Sequence, residues 1–415
     1  MSPTSFRIAI IGAGPAGLTL GLLLHRHAIP FTIFELRPKP TSLDLAKPSG
    51  SLDLHEESGL AALKACDLLD EFMLLTGDCT EAQVIATKDG TIIYTDEGEG
   101  SHRPEISRHK LLQLLLSHLS ASSIKWGHKL ISAHNTTAST GHTEISLDFG
   151  PNGTQTFDLV IGADGTWSKV RALLTDIKPQ YVGMHYITLD ITQNTSQHPH
   201  LSDFIGTGTF TSLADHHGVI SQRSVADSAR IYIFISTSDE HFASTSGLDT
   251  KTPTQAKGVL LGDDAPFARW ATTIKELIAV ACDDESANNP TATLDIKPLY
   301  RLPIGHTWTH HPAATLIGDA AHLMNPGAGE GVNSAMLDAL LLSRAIVKAF
   351  KMAGEDAASV QDALEPLIKE FEVDMWARAK EMAEETLQIG EMMFGGSDGS
   401  GDMAAWFRKF GESDE

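Results

Sequence analysis

Cysteine is nearly missing from this chain: three thiols, Cys66, Cys79 and Cys282, in 415 residues. They are too few and too scattered for a disulfide framework or a zinc site, and read as free thiols of a reducing compartment. A cytoplasmic location is therefore expected. Basic residues are short as well. Lys and Arg number 31 against 53 Asp and Glu, a formal net charge of −22, and a surface of that sign repels nucleic acid and anionic membranes. Histidines are present, but His198, His200 and the Asp215, His216, His217 run lie in separate loops without helical i, i+4 spacing. No metal is expected. No GxSxG stands between a buried strand and a helix, as a nucleophile elbow requires, so serine-nucleophile chemistry has no support. The uncharged run 8–24 is broken by glycines and a proline and continues into His25, Arg26 and His27. It reads as strand, turn and helix, not as a signal peptide or membrane span.

What the chain does have is 42% hydrophobic residues, ample for two or three domains, or for one large domain with an insertion. "FRIAIIG", "GAGPAG", "LTLGLLLHRHA" and "PFTIFEL" follow one another as buried strand, turn, helix and buried strand. In that turn Gly12 and Gly14 let the backbone bend tightly and approach a pyrophosphate. Ala16 and Gly17 keep the helix start small, and its free N–H groups favour an anion. Glu35 closes the second strand 18 residues beyond Gly17, where an acid accepts hydrogen bonds from ribose hydroxyls. Together these predict a dinucleotide ligand but do not separate FAD from NAD.

Two later strands end in the same style. "FDLVIGADG" delivers Asp164 and Gly165 to a turn, and "AATLIGDAAH" delivers Gly318 and Asp319. Three strand ends with small-residue turns can converge on one long ligand, whereas an NAD-binding unit needs only the first. A polar meander at 121–158 alternates like antiparallel strands. Helices are expected at 57–69 and 109–119, from about Glu330 or Gly331, and at 359–393, with a mixed helical stretch at 254–282. Residues 175–299 are β-rich and read as an inserted sheet. The tails "GGSDGSGD" and "GESDE" are expected to be mobile.

With these motifs in order (GxGxxG at Gly12, DG at Asp164, GD at Gly318 and Asp319), the chain resembles the FAD-dependent aromatic hydroxylases, the single-component class A flavoprotein monooxygenases. "SGSLDLHEESGLAALKACDLL" and "RPEISRHKL" are further similar to the tetracycline-inactivating flavin monooxygenases and their fungal relatives. The resemblance implies an α/β fold (α+β overall): a Rossmann-like FAD-binding domain in two parts, 1–174 and 301–350, an inserted β-sheet substrate domain, 175–300, and a C-terminal bridging helix and tail, 351–415. It implies that Asp53, Arg108 and Asp319 contact FAD. The family's Glu-Arg pair is here Glu35, Leu36, Arg37, and Leu112 stands where a second arginine is common. Lys47, shifted by one position, is the candidate for meeting NADPH.

The glycine-rich loop 326–331 lacks bulky side chains, so its amides can reach a planar heterocycle, and the helix that follows aims its positive end at the flavin pyrimidine edge. Pro326, Gly329, Gly331 and Asn333 belong to this part of the site, with Pro326 also facing substrate. The implied chemistry uses FAD, NADPH or NADH, and O2, with a C4a-hydroperoxyflavin delivering one oxygen atom to an aromatic or polycyclic small molecule. Hydroxylation ranks first, with epoxidation and Baeyer–Villiger insertion as variants. A flavin oxidase or dehydrogenase without oxygen insertion, and a non-catalytic FAD-binding protein, remain as alternatives. No acid–base dyad stands out, so no catalytic side chain is assigned. No second GxGxxG appears, which predicts transient nicotinamide binding. Phe204, Phe210, His217, Arg223, Tyr232 and Phe234 are candidates for the substrate pocket, and strand alternation puts Tyr232 and Phe234 on one face. His322 reads as a packed or capping histidine. The stripe Leu364, Leu367, Ile368, Phe371, Met375, Trp376, Ala379, Met382 reads as a packing face between domains. A monomer is expected.

Overall fold

The structure is a computed structural model that describes residues 6–77, 79–98, 103–138, 141–354 and 356–411. Its first strand, Ile8–Ile11, is apolar and buried throughout, as suits a strand covered on both faces. It pairs in parallel with Thr32–Glu35 on one side and Leu159–Gly162 on the other, and Ile124–Trp126 and Ala314–Leu316 complete a five-stranded parallel sheet. The Pro15–Arg26 helix makes the first crossover, its proline in the first turn where no intrahelical N–H is needed. Early strands lie to one side of Ile8–Ile11 and late strands to the other. A crevice therefore opens at the carboxyl ends of the central strands, the usual ligand position in such sheets. Register places those ends level: Ile11 lies beside Gly162, and Gly162 beside Leu316. The three predicted turns do meet.

The expected meander is present as Ser132–Thr137, Thr143–Asp148 and Thr154–Phe157, antiparallel throughout. Its loop residue Phe149 stacks on Phe34 of the parallel sheet with ring centroids 4.4 Å apart. At its edge His142, Glu144 and Asp158 bring ligand-type atoms within 4.8 Å of one another. The Arg7 guanidinium already bridges both carboxylates, so this cluster is an ion-pair network carrying its own cation.

The second sheet has seven strands, in the order Asp295–Arg301, Gln180–Ile191, Ser228–Ser236, His217–Ser224, Thr209–Ala214, Gln83–Ala86 and Ile92–Asp96. Five come from the β-rich stretch. The last two come from an earlier segment, because Gln83–Ala86 pairs in parallel with Thr209–Ala214. Alternation divides the sheet. Ile231, Ile233 and Ile235, with Ile187 and Leu189, are buried in a second core that includes residues of the Pro253–Leu261 and Thr272–Asn288 helices. Arg230, Tyr232 and Phe234 point the other way, toward the first domain. Ser224 Oγ donates to the Ser49 carbonyl at 3.2 Å across that junction.

Two long helices finish the chain. Gly331–Ala353 packs on the Pro15–Arg26 helix and on Ala357–Phe394. The latter has 38 residues, about 57 Å at 1.5 Å per residue. Leu364, Ile368, Phe371 and Met375 bury in the first core, while Phe394 at its far end lies 5.4 Å from the Phe234 ring. The stripe packs in the first core, and the contact with the second sheet is made by Phe394, beyond it. The glycine-rich tail differs from expectation: Gly399–Gly411 is a helix. Ser400 Oγ donates to the Ala86 carbonyl and accepts from the Leu213 N–H, both at 2.7 Å. A Cβ on Gly399 would sit 2.1 Å from the Met393 carbonyl oxygen, so glycine here permits close packing. In "GESDE", residues 412–415 lie outside the described residues. Among the described residues, no helix is long and apolar enough to cross a membrane.

Candidate active site

The glycines of the first turn do different work. Gly12 has φ +111°, and a Cβ there would lie 2.2 Å from the Ala163 carbonyl oxygen; one on Gly17 would lie 2.1 Å from the Gly12 carbonyl oxygen. Both are dictated by backbone packing at the strand ends. Gly14 is extended, and a Cβ on it would meet nothing within 4 Å. It faces the open crevice, next to the uncapped N–H groups of the Pro15–Arg26 helix. Ala16 lies against Gly318, whose hypothetical Cβ would be 3.5 Å from the Ala16 methyl carbon. Replacing Gly14 by valine is expected to leave the melting temperature of the apoprotein within about 2 °C of wild type, since surface changes cost about 0.5 kcal/mol or less. The same change should weaken FAD binding at least about tenfold by filling ligand space. Apoprotein melts and flavin fluorescence titration check both halves.

The acids at the strand ends are not equivalent either. Glu35 accepts from the Ala13 N–H at 2.8 Å and the Arg37 N–H at 2.9 Å, shaping its own loop. Asp164 accepts from Ser168 Oγ at 2.5 Å and the Lys169 N–H at 2.7 Å. Asp319 accepts nothing from the described residues. Its side chain is reachable by water, yet enough protein surrounds it to act on the carboxyl, as for a group lining a recess. Burial pushes its carboxyl up, while His322, Arg108 and Arg171 pull it down. Arg108 is its counterpart, exposed and without a side-chain hydrogen bond among the described residues.

Behind the turns is a buried scaffold that sequence patterns did not single out. Arg171 donates to the Ala320 carbonyl at 2.9 Å and to the Thr166 carbonyl, tying the turn after Asp164 to the one after Asp319. Asp338, fully buried on the Gly331–Ala353 helix, accepts from the Gly318 N–H at 3.0 Å, from His322 Nε2 at 2.5 Å and from Arg378 at 3.3 Å. Burial alone would lower the His322 pKa, but Asp338 outweighs it and the net shift is upward. His322 is thus the packed histidine expected. A helix-interior aspartate is an ordinary surface residue by pattern; only the fold reveals its partners.

The loop after Asn325 is a 3-10 turn at Pro326–Ala328, then Gly329 at φ 71°, then the long helix. Pro326 is exposed. Gly331 faces space, with nothing within 4 Å of a hypothetical Cβ. The Asn333 side chain is fully engaged: Oδ1 accepts from the His55 N–H at 2.9 Å, and Nδ2 donates to the Asp53 carbonyl at 3.0 Å. Asn333 is itself fully buried. Asp53 itself contacts His55 Nε2 at 2.9 Å.

Facing this loop, Tyr232 and Phe234 occupy the domain-facing side of the large sheet, with Tyr186 directly opposite Phe234 on the neighbouring strand. A Cβ on Gly50 would lie 2.3 Å from the Tyr232 hydroxyl and 3.4 Å from Arg108 Nε. The segment carrying Lys47 therefore borders the same chamber; Lys47 is exposed and pairs with Asp44 at 3.5 Å. Four other pocket candidates lie elsewhere. Phe204 packs against Phe210, which is fully buried in the second core; His217 packs near Phe267; Arg223 donates to the Gly206 carbonyl at 2.7 Å. Phe204 lies on the Pro199–Ile205 helix, and the strand positions of Phe210, His217 and Arg223 have the opposite parity from Tyr232, which pairing register alone determines.

Level strand ends, a carboxylate without a hydrogen-bond donor among the described residues, and open glycine positions fit a long, hydroxyl-rich dinucleotide, and their order along the chain defines the class: an FAD-dependent monooxygenase of the aromatic-hydroxylase type. The chain belongs to the FAD binding domain family, whose model matches residues 5–258 and 306–360. It is 36% identical over 410 residues to the monooxygenase penA of Penicillium thymicola, covering 92% of this chain and 94% of that one. It is 34% identical over 421 residues to the monooxygenase asqM of Emericella nidulans, covering 92% and 94%. In fold it is similar to Klebsiella pneumoniae HpxO complexed with FAD and uric acid, with a TM-score of 0.69, 17% identity, and 97% and 92% of the two chains covered.

Proposed function

We propose that this enzyme oxidises NADPH or NADH and places one atom of O2 into an aromatic or polycyclic small molecule, by hydroxylation in the first instance. The observation that carries the site assignment is the Asp319 carboxylate, which has no hydrogen-bond donor among the described residues, is exposed, and stands at the crevice where three turns meet. In this reading the Gly12, Gly14, Ala16, Gly17 turn and the Pro15–Arg26 helix start hold the pyrophosphate. Glu35 and Asp164 shape the nucleotide end. Asp319 accepts from the ribityl hydroxyls, and Asp53 and Arg108 flank the ring end. Bound there, FAD supplies two-electron acceptance from NAD(P)H and activation of O2.

The chain's part is to bind, orient and exclude water. The uncapped start of the Gly331–Ala353 helix, with Gly329, Gly331 and the Asn333 N–H, favours negative charge at the pyrimidine edge by about 0.3–1 kcal/mol when exposed and more when buried. Tyr232 and Phe234 floor the substrate chamber and offer planar contact to an aromatic ring, with Pro326 on the loop side. Lys47, at the rim, meets the nicotinamide nucleotide during a transient visit. We place the enzyme in the cytoplasm as a monomer. Its three thiols are free and buried, and burial pushes Cys66 and Cys282 up to about 12, so none is a ready nucleophile.

Purified protein should absorb near 450 nm and release FAD on heating. With ¹⁸O2 and an accepted aromatic substrate, product should carry one labelled atom per NADPH consumed, read by mass spectrometry. Substrate oxidation without label would instead favour an oxidase or dehydrogenase.

A further inference from the structure

Asp53, His55 and Glu330 form a charge cluster at the ring end of the crevice whose central member the proposed function does not use. His55 is buried, with a side chain 5% exposed. Its Nε2 lies 2.9 Å from Asp53 Oδ2 and its Nδ1 3.4 Å from Glu330 Oε1. Both ring nitrogens thus face carboxylate oxygens. The Asp53 contact is a hydrogen bond and the Glu330 contact an ion-pair approach; a neutral imidazole donates from only one nitrogen and would turn a lone pair toward the other carboxylate, so the imidazolium is the form attracted at both. The backbone is strapped at the same place, through Asn333 to the His55 N–H and the Asp53 carbonyl. Glu330 sits between Gly329 and Gly331, and a Cβ on Gly329 would lie 3.4 Å from Asp53 Oδ1.

We propose that His55 is a positioning residue: as an imidazolium bridging Asp53 and Glu330, it clamps the Gly329–Gly331 loop against the Ser51–Asp53 strand and so sets the loop amides that meet the flavin. The inference rests on the FAD assignment above. The hydrogen bond to Asp53 raises the His55 pKa, burial opposes it, and Glu330 adds to the rise. The charged groups around it are Asp53 at the end of the preceding strand, Glu57 two residues further on, Glu330 on the loop, and Arg103, which acts in the opposite sense. Glu330 in turn feels Asp53 and Glu385. The sign follows: the clamp is complete below the raised pKa and is released as pH climbs through it, leaving Asp53 and Glu330 facing each other without their cation.

The test is FAD binding to apoprotein, by fluorescence titration from pH 6 to pH 9. Wild type should weaken about tenfold across that range, the effect of one pKa unit. His55→Gln should already bind weakly at pH 6 and change less than about twofold to pH 9. Glu330→Gln should keep affinity near the wild-type pH 6 value and lose the slope, because a carboxamide N–H can donate to neutral Nδ1. The Glu330 variant also covers the case in which His55→Gln does not fold. A His55→Gln slope equal to wild type, a flat wild-type profile with tight binding, or a Glu330→Gln slope equal to wild type would overturn the clamp and leave the FAD assignment standing. Absence of saturable FAD binding by wild type at pH 6 would overturn both.

Discussion

Asp319→Ala is expected to weaken FAD binding by about ten- to 150-fold. A hydrogen bond to a charged group contributes about 1.5–3 kcal/mol, and 1.4 kcal/mol is a factor of ten. The stability of the apoprotein should move little or rise. Asp319 accepts no hydrogen bond from the described residues, and burial raises its carboxyl, so without ligand the charge is poorly accommodated. This opposition of signs, affinity lost while apoprotein stability is kept, distinguishes a ligand-facing acid from a structural one. Equilibrium dialysis for flavin and thermal melts of the apoprotein measure the two quantities. Unchanged flavin occupancy would refute the anchoring role.

Asp338→Ala is expected to do the reverse, with a loss of about 3–5 kcal/mol of folding stability, the usual result of removing one partner of a buried ion pair. The change strands the Gly318 N–H and His322 together, while Arg378 keeps Asp374 at 2.8 Å. Because the folded pKa of His322 is raised, its contribution is fully present below about pH 6.5, the ordinary histidine value, and fades as pH rises through the higher folded value. The gap between wild type and variant in urea unfolding should therefore narrow toward alkaline pH. A gap that widens would mean that His322 is neutral in the fold.

Much of this site was legible before any coordinates. Short apolar strands ending in glycine turns announce themselves by composition, and strand level is set by parallel register, so Gly12, Asp164 and Asp319 could be expected to converge. Period-two alternation likewise paired Tyr232 with Phe234. What stayed hidden depends on distance along the chain. The pairing of Gln83–Ala86 with Thr209–Ala214 leaves no local mark in a four-residue strand. Phe210 has the composition of a pocket residue, but its parity, fixed by Ser221 opposite it, sends it beneath the helices. Asp338, Arg171 and Arg378 look like surface charges on helices until their partners are in place. The tail misled for a related reason: its glycines signal looseness by composition, whereas at Gly399 a missing side chain is what admits the neighbouring backbone.

The Ala357–Phe394 helix has a mechanical consequence. Rooted in one core and ending against the floor of the chamber, with Ser400 stitched to two strands just beyond it, it works as a rigid strut between the two bodies. A clamshell motion would have to pull that strut free. Proteolytic nicking between Gly395 and Gly399 should therefore loosen the whole assembly more than its exposed position suggests.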